Sequence, residues 1–185
     1  YGKYLLQIGV PFSQAYMEET MQRYPALARL LVGLFDARFH PDLAISNVEL
    51  APSLVRMGVE SAERYLANFV ATSREDQMGA VEKLLNKQLA KVASLDEDRI
   101  LRSFAAVIKA TLRTSYFKSG GSQSMLKDYI SVKFDPSMVP DIPKPVPYRE
   151  IFVYSPFVEG VHLRFGPVAR GGLRWSDRRE DFRTE

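Results

Sequence analysis

The 185-residue chain contains no cysteine. A disulfide framework is therefore excluded, which fits a reducing compartment. The sequence also lacks a run of about 18 consecutive apolar residues, which a transmembrane helix would need, and it shows no charged leader or signal-peptide pattern. These absences predict a protein that has no membrane partner.

An excess of charge of one sign is also missing. The chain has 25 Lys and Arg residues against 22 Asp and Glu residues, a net charge of +3, and the two signs are interleaved. Nucleic-acid binding needs basic residues that cluster on one face or along one helix. No nucleic-acid partner is therefore predicted.

The sequence offers few motifs for metal or cofactor chemistry. Its two histidines do not indicate a metal centre, because His162 has no partner at metal-ligand spacing and His40 precedes a proline in an expected loop. P-loop and serine or cysteine nucleophile motifs are missing. No Gly-x-Gly-x-x-Gly sequence follows a strand, so no dinucleotide-binding fold is predicted within the chain.

Apolar residues are plentiful, at 46% of the chain, and they recur at helical spacing over most of the first 118 positions. Tyr1–Val10 is apolar, but its pattern fits a strand or a buried turn equally well. Helices are predicted beyond it, over 13–23, 25–40, 47–71, 73–92 and 94–118.

The predicted helices have candidate core faces and caps. Pro25 suits the first position of a helix, and Pro52 and Gly58 weaken the 47–71 segment. Ser94 and Glu97 form a capping-box pattern, in which the glutamate reaches back to the serine amide. The side chains expected to face inward are Leu27, Leu30, Leu31, Leu34, Phe35, Leu54, Met57, Tyr65, Leu66, Phe69, Val81, Leu84, Leu85, Gln88, Leu89, Val92, Ile100, Leu101, Phe104, Val107, Ile108 and Leu112.

The pattern changes after residue 128. Residues 129–134 alternate like a strand, and 150–154 and 161–165 read as a pair of strands. Residues 135–147, between the first of these strands and the pair, contain five prolines. Prolines remove backbone donors and restrict the preceding residue, so this stretch is predicted to be an extended connector. The predicted fold is mainly α with a smaller C-terminal β-containing part, an α+β arrangement in which a helical bundle-like domain precedes a short β segment. The predicted domains are 1–134, helical with a candidate terminal strand, the connector 135–147, and a truncated domain that begins at 148 and reaches 185.

The candidate binding motif is Arg170-Gly171-Gly172-Leu173-Arg174. Glycine lets the backbone take positive φ or approach a ligand closely, and each guanidinium offers a planar fork of donors for a carboxylate or phosphate. Two such forks beside a close-approach backbone suit a small molecule with two acidic ends. A β-turn with solvated arginines is the alternative, and spacing alone favours that alternative.

The residues from Phe152 onward, FVYSPFVEGVHLRFGPVARGGLRWSDRREDFRTE, resemble the start of the catalytic region of the large NAD-dependent glutamate dehydrogenases of bacteria. They are also similar to the Gly-Pro-x-Lys-Gly-Gly-x-Arg stretch of the smaller hexameric glutamate dehydrogenases. ASLDEDRIL and YLLQIGVPFSQAYME look like family segments too, so the resemblance covers most of the chain. Arg170 stands where the smaller enzymes have lysine, and the spacing from Gly166-Pro167 is one residue longer.

The resemblance implies an activity for a longer parent protein, of which this chain would be a piece. That activity is oxidative deamination of L-glutamate to 2-oxoglutarate and ammonium, with hydride transfer to NAD. It implies that Arg170, Gly171, Gly172 and Arg174 bind substrate, while the catalytic lysine and aspartate and the NAD-binding residues lie outside this fragment, which would be inactive alone. A cytoplasmic homo-oligomer is implied for the parent. The alternative is a non-catalytic helical interaction or regulatory module of a larger protein.

Overall fold

A computed structural model describes residues 1–42, 49–66, 73–118, 128–166 and 173–174, the last two for their backbone alone. The fold is mainly helical with a smaller antiparallel sheet, which confirms the predicted α+β class. The chain forms two compact units: a helical unit, residues 15–108, and a sheet unit made of residues 1–14 and 109–185. None of the helices in the described ranges is long and apolar enough to cross a membrane.

Seven α-helices occur among the described residues. They are α1 (Gly2–Gln7), α2 (Gln14–Arg23), α3 (Pro25–Phe39), α4 (Leu50–Arg56), α5 (Ser61–Leu66), α6 (Arg74–Leu89) and α7 (Leu95–Ala110).

The helical unit is built around α3 and α6. Pro25 is at the start of α3 as predicted, and the leucines of its apolar face are buried. At the other end of α3 the guanidinium of Arg74 donates to the carbonyls of Ala37, at 2.7 Å, and His40, at 2.9 Å. A cation therefore satisfies carbonyls that the helix end leaves without an intrahelical donor. Ser73 caps α6 by accepting from the amide of Asp76, so both helix starts were predicted correctly.

The single helix predicted over 47–71 is wrong. Its described part forms α4 and α5, and between them Gly58 has φ +82°, a conformation outside the helical region that glycine adopts without strain. Two of the side chains expected inside, Met57 and Tyr65, are 44% and 37% exposed because the break changes the helical phase. Phe69 lies outside the described residues.

The helix predicted over 94–118 ends early. α7 stops at Ala110 and the chain continues directly as strand β1 (Thr111–Thr114), where Leu112, expected inside, is 40% exposed. The predicted capping box is only half formed. The Glu97 amide donates to Ser94 Oγ, but the Glu97 side chain accepts from the hydroxyl of Tyr24 and from Arg23.

The sheet has five strands in the order β1-β2-β3-β4-β5, and every neighbouring pair is antiparallel. The further strands are β2 (Ile130–Phe134), β3 (Arg149–Tyr154), β4 (Glu159–Arg164) and β5 (Leu173–Arg174). The strands predicted near 129–134, 150–154 and 161–165 are confirmed. The proline-rich stretch 135–147 joins β2 to β3, which are hydrogen-bonded neighbours.

One face of this sheet carries the core of the sheet unit. Successive residues of a strand point to opposite faces, and Val132, Phe134, Phe152, Val161 and Leu163 are buried on one of them. Against this face packs α1, a helix where the sequence pattern suggested a strand or a buried turn. The ring of Tyr4 in α1 stacks on Phe134, with centroids 4.1 Å apart. Its hydroxyl donates to Glu150 Oε2 at 2.6 Å.

Candidate functional site

The predicted binding motif falls at the β4–β5 edge of the sheet. In β5, Leu173 is opposite His162 and Arg174 is opposite Val161. Arg170, Gly171 and Gly172 lie outside the described residues, in the chain that connects β4 to β5. The motif thus follows a strand of the central sheet and ends in the next one.

The two strands that precede the motif, β3 and β4, form a continuous antiparallel pair. β3 and β4 pair along their whole length, from Arg149 opposite Arg164 to Tyr154 opposite Glu159. Arg164 Nε donates to the carbonyl of Gly166 at 3.0 Å, which fixes the chain just beyond β4. The segment that contains the motif therefore leaves from a defined point of the sheet.

Beneath these strands the core holds an acidic side chain. Glu150 of β3 is fully buried and is opposite Leu163 of β4. A buried carboxyl group requires hydrogen-bond donors, and the Tyr4 hydroxyl supplies one of them. Further along α1, Gln7 Nε2 donates to Glu159 Oε1 at 2.8 Å. Both carboxyl groups therefore serve to attach α1 to the sheet.

The two histidines lie in regular parts of the fold, one in a strand and one at the end of a helix. His162 is in β4 opposite Ile151, and His40 ends α3, where its Nδ1 accepts from the amide of Asp42 at 3.1 Å. Among residues 1–42, 49–66, 73–118 and 128–166, no three His, Cys, Asp or Glu side chains come together as metal ligands.

A second cluster of charged groups was not predicted from the sequence. Arg113 of β1, Lys118 just after it and Lys133 of β2 line a cavity of about 260 Å³. The available signal was the alternation of residues 129–134, which sets Lys133 on the face opposite Val132 and Phe134. Arg113 was assigned to a helix, so its position beside Lys133 was not predicted.

The sequence of residues 84–185 matches the family described as bacterial NAD-glutamate dehydrogenase, catalytic domain. Residues 1–41 match glutamate dehydrogenase, helical motif 3. The catalytic-domain match begins well before residue 148, where the sequence predicted that domain to start. The chain belongs to the bacterial NAD-glutamate dehydrogenase family.

Individual relatives have the same family name. The chain is 45% identical over 185 residues to an NAD-specific glutamate dehydrogenase of Mycobacterium tuberculosis. It is 44% identical over 186 residues to one from Pseudomonas aeruginosa and over 185 residues to one from Halomonas elongata. In each case the alignment covers 100% of this chain and 10% of the relative. The chain therefore spans about a tenth of the length of these relatives.

Proposed function

We propose that the protein containing this chain catalyses the NAD-dependent oxidative deamination of L-glutamate to 2-oxoglutarate and ammonium. The family membership is the observation that carries this proposal, because relatives named for this specificity align with every part of the chain. The reaction moves a hydride from the α-carbon of glutamate to the nicotinamide. The protein must therefore hold both substrate carboxylates while that carbon faces the cofactor.

In this proposal the motif from Arg170 to Arg174 contributes to the glutamate site. Arg170 supplies a forked cation for a substrate carboxylate, and Gly171 and Gly172 allow the backbone close to the ligand. Support comes from the position of Arg174 in β5, which pairs with β4 in the antiparallel sheet. A rigid strand positions a binding group more accurately than a free loop does.

The remaining parts of the catalytic apparatus are assigned to other regions of the protein. NAD binding and the catalytic lysine and aspartate are proposed to lie outside these 185 residues, and the whole protein is proposed to be a cytoplasmic homo-oligomer. The isolated chain should neither bind NAD nor oxidise glutamate. Calorimetric titration of the isolated chain with NAD tests this, and micromolar binding would contradict the proposed division of roles.

The site assignment is tested by Arg170→Ala in the full-length protein. Removal of one partner of a desolvated, hydrogen-bonded charge pair costs about 2–5 kcal/mol, which corresponds to roughly 1.5 to 3.5 decades in affinity. The Michaelis constant for glutamate should rise accordingly, while that for NAD should change little. Arg170→Lys should recover part of the loss, because the charge returns without the fork.

Arg178→Ala is the matched control. The alternating charges of residues 174–185 predict a solvated, salt-bridged face for Arg178, and an exposed substitution of this kind should have little effect. If Arg170→Ala folds normally and keeps its Michaelis constant for glutamate, Arg170 has no role in substrate binding. Full-length protein that shows no glutamate oxidation with NAD would overturn the proposed reaction itself.

A further inference from the structure

The outer face of the sheet, opposite α1, has a cavity with an unusual lining. Its volume is about 260 Å³, and three of the side chains around it are the cations Arg113, Lys118 and Lys133. The other described lining residues are Thr114, Ser115, Ser131 and Ile151, so no acidic side chain in the described part of the chain lines the cavity.

The strand register forces two of these charges together. In the β1–β2 pair, Arg113 is directly opposite Lys133. Like charges at directly opposite positions of an antiparallel pair are destabilising. On its other side Lys133 is opposite Ile151 of β3, which offers no compensating charge.

No internal partner relieves this repulsion within the described ranges. Arg113, Lys118 and Lys133 form no ion pair or side-chain hydrogen bond with another described residue. Asp135 follows β2 closely, but its carboxylate pairs with Arg149 at 3.3 Å. The cations around the cavity therefore lack a described counter-charge.

Hydroxyl groups also line the cavity. Ser115 Oγ accepts from the amide of Ser131 at 2.8 Å, and Thr114 Oγ1 accepts from the amide of Tyr116 at 3.1 Å. Neither hydroxyl proton is donated to another described residue, so both can be donated to a ligand. The backbone also holds the cluster in place, because the Ser115 amide donates to the Ser131 carbonyl and the Lys118 amide to the Ser115 carbonyl.

We propose that this cavity is a binding site for a phosphate group, either as inorganic phosphate or as part of a small phosphomonoester. A phosphate carries a charge of about −1.5 to −2 at neutral pH and several strong acceptor oxygens, so it can bridge opposed cations and accept from serine and threonine hydroxyls. A single carboxylate would neutralise only one of the three cations. The cavity is also smaller than the roughly 300–1,000 Å³ typical of sites for drug-sized ligands.

The site is distinct in sequence and in strand from the proposed glutamate site. It is formed by β1, β2 and β3, whereas the Arg170 to Arg174 motif follows β4. Equilibrium dialysis of the full-length protein with radiolabelled orthophosphate tests the proposal, in low-salt chloride buffer that limits screening. NAD and 2-oxoglutarate, an oxidised pair that does not react, are kept saturating so that the proposed dehydrogenase site is occupied.

We expect saturable binding that weakens about tenfold in Lys133→Gln and again about tenfold in the double variant with Arg113→Gln, since each removes one charged hydrogen-bonding group. Arg113→Lys should keep most of the affinity. Lys83→Gln, a charge change on the helical unit, is the matched control and should leave it unchanged. Competition by glycerol 3-phosphate identifies the source: displacement at lower concentration than unlabelled phosphate indicates a phosphomonoester, and weaker displacement indicates inorganic phosphate.

Thermal unfolding provides a second readout. Phosphate should raise the melting temperature of the wild type by mass action, and this increase should disappear in the double variant. Without phosphate the double variant should be at least as stable as the wild type, because the opposed charges are gone. The proposal is overturned if neither phosphate nor glycerol 3-phosphate binds, or if both bind equally well to the double variant.

Discussion

The two units of this chain are assembled over very different distances along the sequence. In the helical unit, side-chain hydrogen bonds join Arg23 to Glu97, 74 positions apart, and Arg74 to Ala37, 37 positions apart. In the sheet unit, Tyr4 bonds Glu150 across 146 positions and Gln7 bonds Glu159 across 152. The sheet unit therefore depends on long-range closure, which carries a larger entropic cost before any contact forms.

Each unit also buries a glutamate, and the two carboxyl groups have different hydrogen-bond partners. Glu97 in the helical unit accepts from the tyrosine hydroxyl of Tyr24 and pairs with the cation Arg23, whose side chain is half exposed. Glu150 in the sheet unit is fully buried and accepts from Tyr4, a residue of the segment that closes the core. Loss of a hydrogen bond at Glu150 should therefore weaken the attachment of a whole segment.

The largest expected effect is the loss of stability when a core side chain of either unit is replaced by alanine. Phe134→Ala removes a fully buried ring that stacks on Tyr4 and should destabilise the sheet unit by about 3–5 kcal/mol. Leu34→Ala, at a fully buried position of α3, should destabilise the helical unit by about 2–5 kcal/mol. Hydrogen exchange followed by mass spectrometry should show the greatest loss of protection in β2–β4 for the first and in α3 for the second. Equal loss in both units for either variant would contradict the division into two units.

A smaller effect is expected from the hydroxyl that closes the sheet core. Tyr4→Phe keeps the ring stacking but leaves the buried Glu150 with one donor fewer, which should cost about 1–3 kcal/mol. Tyr1→Phe is the matched control, because the Tyr1 hydroxyl shares its hydrogen bond with Thr111, a neutral partner, at 3.1 Å. Denaturant unfolding should show the greater loss for Tyr4→Phe. Equal losses would mean that the buried carboxyl group does not need this donor.

The smallest expected effect is a gain in stability of the helical unit when Asp36 is replaced. Burial raises the pKa of Asp36, and the charges of Arg29 and His40 only partly oppose this. The unfolded state therefore releases this proton at lower pH than the folded state, so folding stability falls as pH rises from the ordinary to the raised pKa. Asp36 also lies in the last turn of α3, where a negative charge opposes the helix dipole.

Asp36→Asn should therefore stabilise the helical unit at neutral pH, by about 0.5 kcal/mol, and flatten its acid-side pH dependence. Thermal unfolding measured across the acidic range checks this. Glu75→Gln, in the first turn of α6, should act in the opposite direction, because an acidic group is favourable there. Destabilisation by Asp36→Asn at neutral pH would show that the carboxylate has a favourable partner.

The starts of α3 and α6 and the ends of α2 and α3 were readable from the sequence, whereas the end of α7 was not. Pro25 and Ser73 act through their own backbone neighbours, so a local pattern is sufficient to identify them. The end of α7 at Ala110 depends on the pairing of Thr111 with Phe134, and a local window does not contain that partner. For the same reason only half of the capping box formed, because the Glu97 side chain accepts from Tyr24, which is 73 positions away.

The candidate sites differ in the same way. The Arg170 to Arg174 motif is contiguous and was found from residue types and family resemblance, and its role in substrate binding stays a prediction. The phosphate cavity is made by strands whose register brings Arg113 opposite Lys133. The 19 residues between those two positions contain no local pattern that predicts their pairing.

The hydrogen bond between Tyr4 and Glu150 has a consequence for the order in which the protein is made. At about 5–20 residues per second, synthesis of the 146 residues that separate them takes about 7–30 s. During that interval the ribosome completes the whole helical unit, while Tyr4 and Leu5, which are buried in the finished fold, wait without the strands that cover them. The first residues of this chain to be synthesised are thus among the last to reach their final places.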